Sequence, residues 1–304
     1  MFNFFNLSKS AKQLFITVTI MAFIGIIVSF MSNGITVNNI SIFICGFLAI
    51  LMCSCINYQF YKKYSALIFC IAFISLILAV FKLNPVISMA FVILAFVIML
   101  ANLVQKEDIK QSKTIFKILG LYLLLALPML AIQNFSTAVL MFIVLIIVLF
   151  VTGVKKKTIA TILTAIVLIF VFEILIMPYR IYRLKHYFES LISFDFMNTG
   201  AGFILFDLFN KFGIVLYILI FLCFGYFLYK GFKIYSNTNN VFGKILALSI
   251  TLVISLQAVL HILASVGILP IKMLNLPFIS FDGINFIIEM ATAGILINVS
   301  NNKK

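Results

Sequence analysis

Ten runs of apolar residues, each close to the length that crosses a bilayer, fill this chain and leave mostly short polar breaks between them. They fall at about 14–32, 39–56, 64–81, 86–104, 115–132, 136–153, 158–177, 208–229, 244–265 and 284–299. A transmembrane helix takes about 20 mainly apolar residues. Apolar residues make up 64% of the 304 positions and charged residues 10%. A soluble domain is nearer half apolar and a quarter charged. That balance excludes a water-soluble enzyme, a disordered tail and a secreted disulfide scaffold. The expected fold is all-α: a polytopic integral membrane protein of about ten transmembrane helices, one domain over 1–304. The even count predicts both termini on one side.

The basic residues choose that side. With a cytoplasmic N-terminus, Lys82, Arg180, Arg183, Lys185, Lys211 and Lys272 fall outside or near the outer ends, and the other sixteen of the 22 Lys and Arg lie in or beside inner segments. This is the positive-inside asymmetry. The formal charge of +14 therefore reads as topology and attraction to anionic inner-leaflet lipid. No basic stripe interleaved with stacking aromatics appears, so no nucleic-acid partner is expected. The first run exceeds a signal-peptide core and no cleavage site follows it, so it is expected to stay as an anchor. Cys45, Cys53, Cys55, Cys70 and Cys223 all lie within runs and are expected to be small buried apolar side chains. The two histidines and scattered acids show no metal-ligand spacing, and the glycines form no phosphate loop. No metal and no cofactor are expected.

Two outer segments, 178–207 and 266–283, are longer and richer in polar residues and proline. Irregular backbone at membrane depth is tolerated where it is buried in protein or lines a wet cavity. These segments and the turn at 133–136 form the candidate functional face. The turn reads Gln133-Asn134-Phe135-Ser136-Thr137-Ala138, where Asn favours the turn and Ser136 or Thr137 is expected to cap the next helix. Pro178-Tyr179-Arg180-Ile181-Tyr182-Arg183-Leu184 reads as the start of an amphipathic helix on the outer surface, with Arg180 and Arg183 on one face. The arginine fork suits phosphate oxygens. Its bland alternative is interfacial anchoring. Gln257-Ala258, His261, Gly267 to Pro270, Lys272, Leu276 to Gly283 and Gly294 to Ser300 make a third block. Glu173, Glu289 and His261 are ionisable residues inside spans, which by default are functional hypotheses. Each has the alternative of a satisfied buried group. Asp207 lies four residues before Lys211 and reads as a structural ion pair.

The third block resembles the closing pattern of the shape, elongation, division and sporulation family, the FtsW/RodA/SpoVE group: Gln-Ala, Gly-Leu-Leu-Pro, Pro-Phe-Ile-Ser-Tyr-Gly-Gly and Gly-Leu-Leu-Leu-Asn-Ile-Ser. Pro270 and Pro277 keep the family's gap. Asn134 to Ala138 match its Asn-x-Ser-Thr-Ala turn, and Pro178 to Arg183 match its Pro-Tyr-Arg-x-x-Arg stretch. The resemblance covers the whole chain. It implies a bacterial cell-membrane protein of peptidoglycan synthesis in division, shape or sporulation, with lipid II or another undecaprenyl-linked glycan as substrate and a class B penicillin-binding protein as partner. Arg180, Arg183 and Lys272 would then meet the diphosphate. Asn134, Ser136, Thr137, Gln257, His261, Pro270, Pro277, Ser280 and Gly283 would shape the outer cavity.

The chain departs from the family pattern at the chemistry. Aligning Phe203-Ile204 and Phe212-Gly213 puts Gly202 where the family's catalytic Asp belongs, and Asn210 and Lys211 replace its two glutamates. Asp195 offers a second register that needs an insertion. Asp282 replaces the first of the paired glycines, and Ile284-Asn285 replace two serines. The loop between the third and fourth runs shrinks to 82–84, followed by Asn84-Pro85-Val86-Ile87. The expected function is therefore a divergent family member that binds a polyprenyl-linked glycan. The catalytic residue is open: Gly202 argues against polymerase activity, and Asp195 and Asp282 are the remaining candidate bases. A non-enzymatic scaffold and a flippase for a lipid-linked sugar are the alternatives.

Overall fold

A computed structural model describes residues 7–33, 37–82, 88–107, 111–176, 204–265 and 275–302, with side chains described at all of these except 31–33, 172–174, 176 and 204–212. Among the described residues every regular element is an α-helix, as lipid demands of a backbone that must pair its own N–H and C=O groups. The helices are α1 (Lys9–Asn33), α2 (Val37–Cys55), α3 (Tyr58–Lys63), α4 (Ser65–Val80), α5 (Met89–Lys106), α6 (Ser112–Ala131), α7 (Phe135–Val151), α8 (Lys156–Ile176), α9 (Ile204–Asn237), α10 (Val241–Ser265) and α11 (Ile284–Asn301). Apart from the six-residue α3, they coincide with the ten apolar runs. Among the described residues seven are long and apolar enough to cross a membrane, and α4 and α7 are apolar but shorter. α9 breaks at Gly213, whose φ of 71° belongs to the left-handed region that glycine enters without penalty.

α10 and α11 form the centre, with α5 and α7 packed on α10, and α1 and α2 packed on α11. Lipid gives no hydrophobic drive between helices, so close fit and polar contacts must hold them. Close fit comes from small residues. A Cβ on Gly294 would stand 2.6 Å from the Ile50 carbonyl oxygen, and one on Gly46 would strike the Phe286 ring. Polar contacts come in pairs across helices. Asn102 Nδ2 donates to Ser65 Oγ at 2.5 Å, and Tyr122 Oη to the Ala138 carbonyl at 3.1 Å. Lys230 Nζ, buried on α9, donates to Gln13 Oε1 at 2.6 Å and lies 5.0 Å from the Tyr226 ring centroid.

The helix ends sort into two faces. At one, Ser8 N donates to Asn301 Oδ1 at 3.0 Å, so the first and last described segments meet. Asn298, buried there on α11, donates through Nδ2 to the Ser54 carbonyl at 2.7 Å and accepts from Tyr58 N at 2.9 Å. It thereby joins the end of α2 to the start of α3. The Asn-Val-Ser close of the chain is thus a structural lock. Lys62, Lys63, Lys233 and Lys244 belong to this end. The α6–α7 turn, the start of α5 and the loop before α11 lie at the other. Cys45, Cys55 and Cys70 correct the expectation of burial: they are exposed on outward helix faces, and Cys53 and Cys223 are half-buried. Apolar residues face either way in lipid, because hydrocarbon covers what protein does not.

Two predictions follow the end-face contacts. Asn298→Ala strips partners from the Ser54 carbonyl and the Tyr58 N–H, each worth about 1–3 kcal/mol when left buried and unpaired. Thermal unfolding in detergent should show a clear fall in Tm, larger than for the exposed Asn302→Ala. Between α5 and α6, Lys117 Nζ donates to Glu107 Oε1 and Thr114 Oγ1 donates to its Oε2, and the Lys117 bond holds the Glu107 carboxyl below its ordinary range. A depressed carboxyl contributes stability above its unfolded value and loses it as pH falls through the folded one. Glu107→Gln should flatten the acid side of a Tm-against-pH curve without altering it near neutrality by more than the small worth of an exposed pair.

Candidate functional site

The third motif block builds the site. Residues 276–279 enter the bundle: Leu276, Phe278 and Ile279 are fully buried. The segment can approach α1 because Gly25 has no side chain, and a Cβ there would stand 2.6 Å from the Ile279 carbonyl oxygen. Inside the loop, Leu276 N donates to Ser280 Oγ at 3.0 Å and Ser280 N to the Leu276 carbonyl at 2.9 Å. Phe278 adopts φ 65°, unusual for a bulky residue. Its ring is held against Phe227, centroids 5.8 Å apart, and its N–H donates to Glu289 Oε2 at 3.2 Å. Gly283, φ 48°, then turns the chain into α11.

Glu289 is 5% exposed and projects from the second turn of α11. Its Oε1 accepts from Gln257 Nε2 at 3.0 Å, and the same nitrogen donates to the Asn275 carbonyl at 3.0 Å. A buried carboxylate is costly without such donors. One side chain thus ties α10, the loop and α11.

Asp282, exposed at the mouth, accepts at Oδ2 from Asn275 Nδ2 at 2.6 Å and Asn285 Nδ2 at 2.7 Å. Asn285 Oδ1 accepts in turn from Ser88 Oγ at 2.8 Å and Ala90 N at 3.3 Å, at the start of α5. The remaining wall is the α6–α7 turn. Gln133 N donates to the Leu130 carbonyl and Asn134 N to the Met129 carbonyl, closing α6 with Gln133 at φ 61°. The N-cap of α7 is Asn134, without a side-chain cap bond. Neither Ser136 nor Thr137 caps the helix as expected; Thr137 Oγ1 instead donates to Asn134 Oδ1 at 2.7 Å, because both lie inside the helix start.

These pieces enclose a cavity of about 160 Å³ lined by Met89, Ala90, Ile93, Asn134, Thr137, Gln257, Asn275, Asp282, Asn285 and Glu289. Among the expected site residues, Asn134, Thr137, Gln257 and Asp282 therefore meet at one cavity. Ser280, Pro277 and Gly283 shape the loop rather than line it. Ser136 is buried beside Thr137, and His261 is buried one turn beyond Gln257. Arg180, Arg183, Asp195, Gly202, Pro270 and Lys272 lie outside the described residues, as do the side chains of Glu173, Asp207, Asn210 and Lys211. Ser88, Asn275 and Asn285 were not picked out from sequence as site residues. The traces they left were an N-cap serine before an apolar run and an asparagine in place of a family serine. The cavity can hold a polar group through amide and hydroxyl donors and two carboxylates.

Comparison with known proteins places this arrangement. The FtsW/RodA/SpoVE family model, described as "Cell cycle protein", matches residues 11–200 and 193–304. The probable peptidoglycan glycosyltransferase FtsW of Bacillus subtilis is 28% identical over 113 residues, 37% of this chain and 28% of that protein. The matched stretch spans less than a third of the length of such curated relatives. A chain in the solved structure titled "Structural coordination of polymerization and crosslinking by a peptidoglycan synthase complex" superposes with a TM-score of 0.81 at 16% identity, covering 96% of this chain and 97% of that one. The rod shape determining protein RodA of Thermus thermophilus superposes with a TM-score of 0.76 at 15% identity, covering 96% of each chain. At such identities the likeness shows a common fold.

The Glu289 contacts predict an order of cost. Glu289→Ala orphans the Phe278 N–H and leaves the Gln257 amide with only the Asn275 carbonyl, and should lower stability by roughly 2–5 kcal/mol. Glu289→Gln keeps an acceptor for one donor and should cost less. Asp282→Ala, at an exposed site, should cost least. Thermal unfolding in detergent ranks the three, and equal losses would contradict the reading.

Proposed function

This chain belongs to the FtsW/RodA/SpoVE family, and on that premise we propose that it serves bacterial peptidoglycan synthesis by binding lipid II or a related undecaprenyl-linked glycan at the cavity between α5, α7, α10 and α11. It is a multi-pass membrane protein, and the bacterial cytoplasmic membrane is its setting. The observation that carries the substrate reading is convergence. Asn134 and Thr137 come from one motif and Gln257 and Asp282 from the two ends of another, yet all four line one polar cavity at the end of the bundle opposite the lysine-rich face. A lipid-linked glycan needs such a pairing of hydrocarbon-facing helices and polar donors at one membrane face. In this reading Arg180, Arg183 and Lys272, from the two longer segments that the charge pattern assigns to the outer side, meet the diphosphate. A class B penicillin-binding protein is the proposed partner. The solved relative from a peptidoglycan synthase complex supports that reading by fold.

A second reading, a non-enzymatic scaffold for a penicillin-binding protein, draws on Gly202 at the position of the family's catalytic Asp. Lipid II binding distinguishes the two readings. Purified protein in nanodiscs should bind lipid II and discriminate against undecaprenyl phosphate without sugar. Gln257→Leu and the Arg180→Ala, Arg183→Ala double variant should each weaken binding by roughly tenfold or more, about 1.4 kcal/mol or above. Equal binding of both lipids, or full binding by both variants, would leave the scaffold as the better account.

A further inference from the structure

We infer that Asp282 is the proton acceptor for glycosyl transfer at this cavity, an assignment that rests on the substrate reading above and adds the reaction to it. A sugar hydroxyl that attacks an anomeric carbon must lose its proton as the bond forms, and a positioned carboxylate can take it. Two of the described lining residues are carboxylates, Glu289 and Asp282. Glu289 is buried, and each of its oxygens already accepts a hydrogen bond. Its work is structural. Asp282 is exposed at the mouth, and both of its side-chain bonds fall on Oδ2. Among the described residues nothing donates to Oδ1, and no lysine or arginine lies among the described lining residues to hold the charge in an ion pair.

The clamp on Oδ2 is itself fixed. Ala90 N can only donate, so the Asn285 oxygen must face it and the Asn285 nitrogen must face Asp282. Ser88 Oγ donates to the same Asn285 oxygen, and Asn285 N donates to the Asp282 carbonyl at 3.0 Å. Asn275 is held from behind, its carbonyl accepting from Gln257 Nε2. The carboxylate is thus steadied by the loop, α5, α10 and α11 together. A proton arriving at Oδ1 leaves Oδ2 an acceptor with both amide bonds intact, so the clamp chooses which oxygen is the base. Asp282 and Asn285 are both departures from the family pattern, and they contact each other at 2.7 Å.

In the step, the acceptor hydroxyl oxygen bonds to the donor sugar's anomeric carbon. The bond from that carbon to the prenyl diphosphate breaks, and its electron pair leaves with the diphosphate. The hydroxyl proton passes to Asp282 Oδ1 and from there to water at the mouth. Donor and acceptor are both polyprenyl-linked glycans. Asn275 and Asn285 are positioning residues.

The test uses full-length protein in liposomes with lipid II, measuring glycan chain formation and lipid II binding separately. Asp282→Asn should lower kcat on the order of 10²-fold or more, a far larger factor than its loss of lipid II affinity. It should also remove the acidic limb of the kcat–pH profile. Asp282→Glu should regain part of the rate and restore the limb. Asn285→Ala should lower kcat less than Asp282→Asn and shift the limb, which a merely structural lesion would not do. Three results would overturn the assignment: wild-type kcat in Asp282→Asn, loss of turnover on Asp195→Asn with Asp282→Asn active, or wild-type protein that binds lipid II and never turns it over. Failure of wild-type protein to bind lipid II would overturn the substrate reading itself. If Asp282→Asn does not fold, the rate and pH limb of Asp282→Glu decide.

Discussion

A single buried carboxylate organises the polar end of this bundle. Glu289 sits inside a helix that crosses hydrocarbon, where an unpaired acid would be costly. Its two oxygens are met by Gln257 from α10 and by the Phe278 N–H from the preceding loop. The second bond requires a backbone amide turned inward, and Phe278 supplies it from a left-handed conformation that its buried ring and Phe227 hold in place. Strain of that kind persists only where the surroundings over-determine it. Once the loop has that shape, Asn275 reaches Asp282 across the loop, and Asp282 stands at the mouth.

The rest of the bundle works as a frame. At the lysine-rich end Asn298 ties α11 to α2 and α3, and Ser8 ties the first described segment to the last. Between the two ends, Gly294 lets α11 reach the Ile50 backbone of α2, and Gly46 on α2 makes room for the Phe286 ring of α11. These locks share no residue with the cavity, yet they set the axial height of α11 and hence of Glu289, about two and a half turns further along the same helix. The family's closing motif is therefore two devices in one stretch, a lock at its end and a site at its start.

Much of the architecture was legible from composition and period. Hydrophobic runs of bilayer length mark helices with little competition, because lipid removes the alternatives. The site was legible as segments. Asn134, Thr137, Gln257 and Asp282 stood out as polar residues in or beside apolar runs, and the family pattern tied them together. The Ser136 and Thr137 caps misled, since a Ser or Thr beside an Asn can cap or be capped and local sequence does not distinguish them. The cysteines misled for a different reason: lipid accepts the outward faces of helices as readily as protein accepts the inward ones, so apolar character no longer reports burial. Asn285 was visible as a replaced serine but not as part of a clamp, and Ser88 gave no sign of its role because its partner lies 197 residues away.

The amino-acid sequence by itself determined that this chain is a membrane bundle with a basic end and a polar end, because bilayer thickness and surface charge act on each segment independently. It also carried the family, through motifs short enough to read in one line. Tertiary structure alone decided which carboxylate holds the loop and which keeps an oxygen without a donor at the mouth, among the described residues. Glu289 and Asp282 are seven residues apart in one motif and look alike as letters. Their roles separate because donors from α10 and the loop saturate one, while amides from the loop and the start of α11 grip a single oxygen of the other. Hydrogen-bond partners drawn from remote elements have no local signature in the chain.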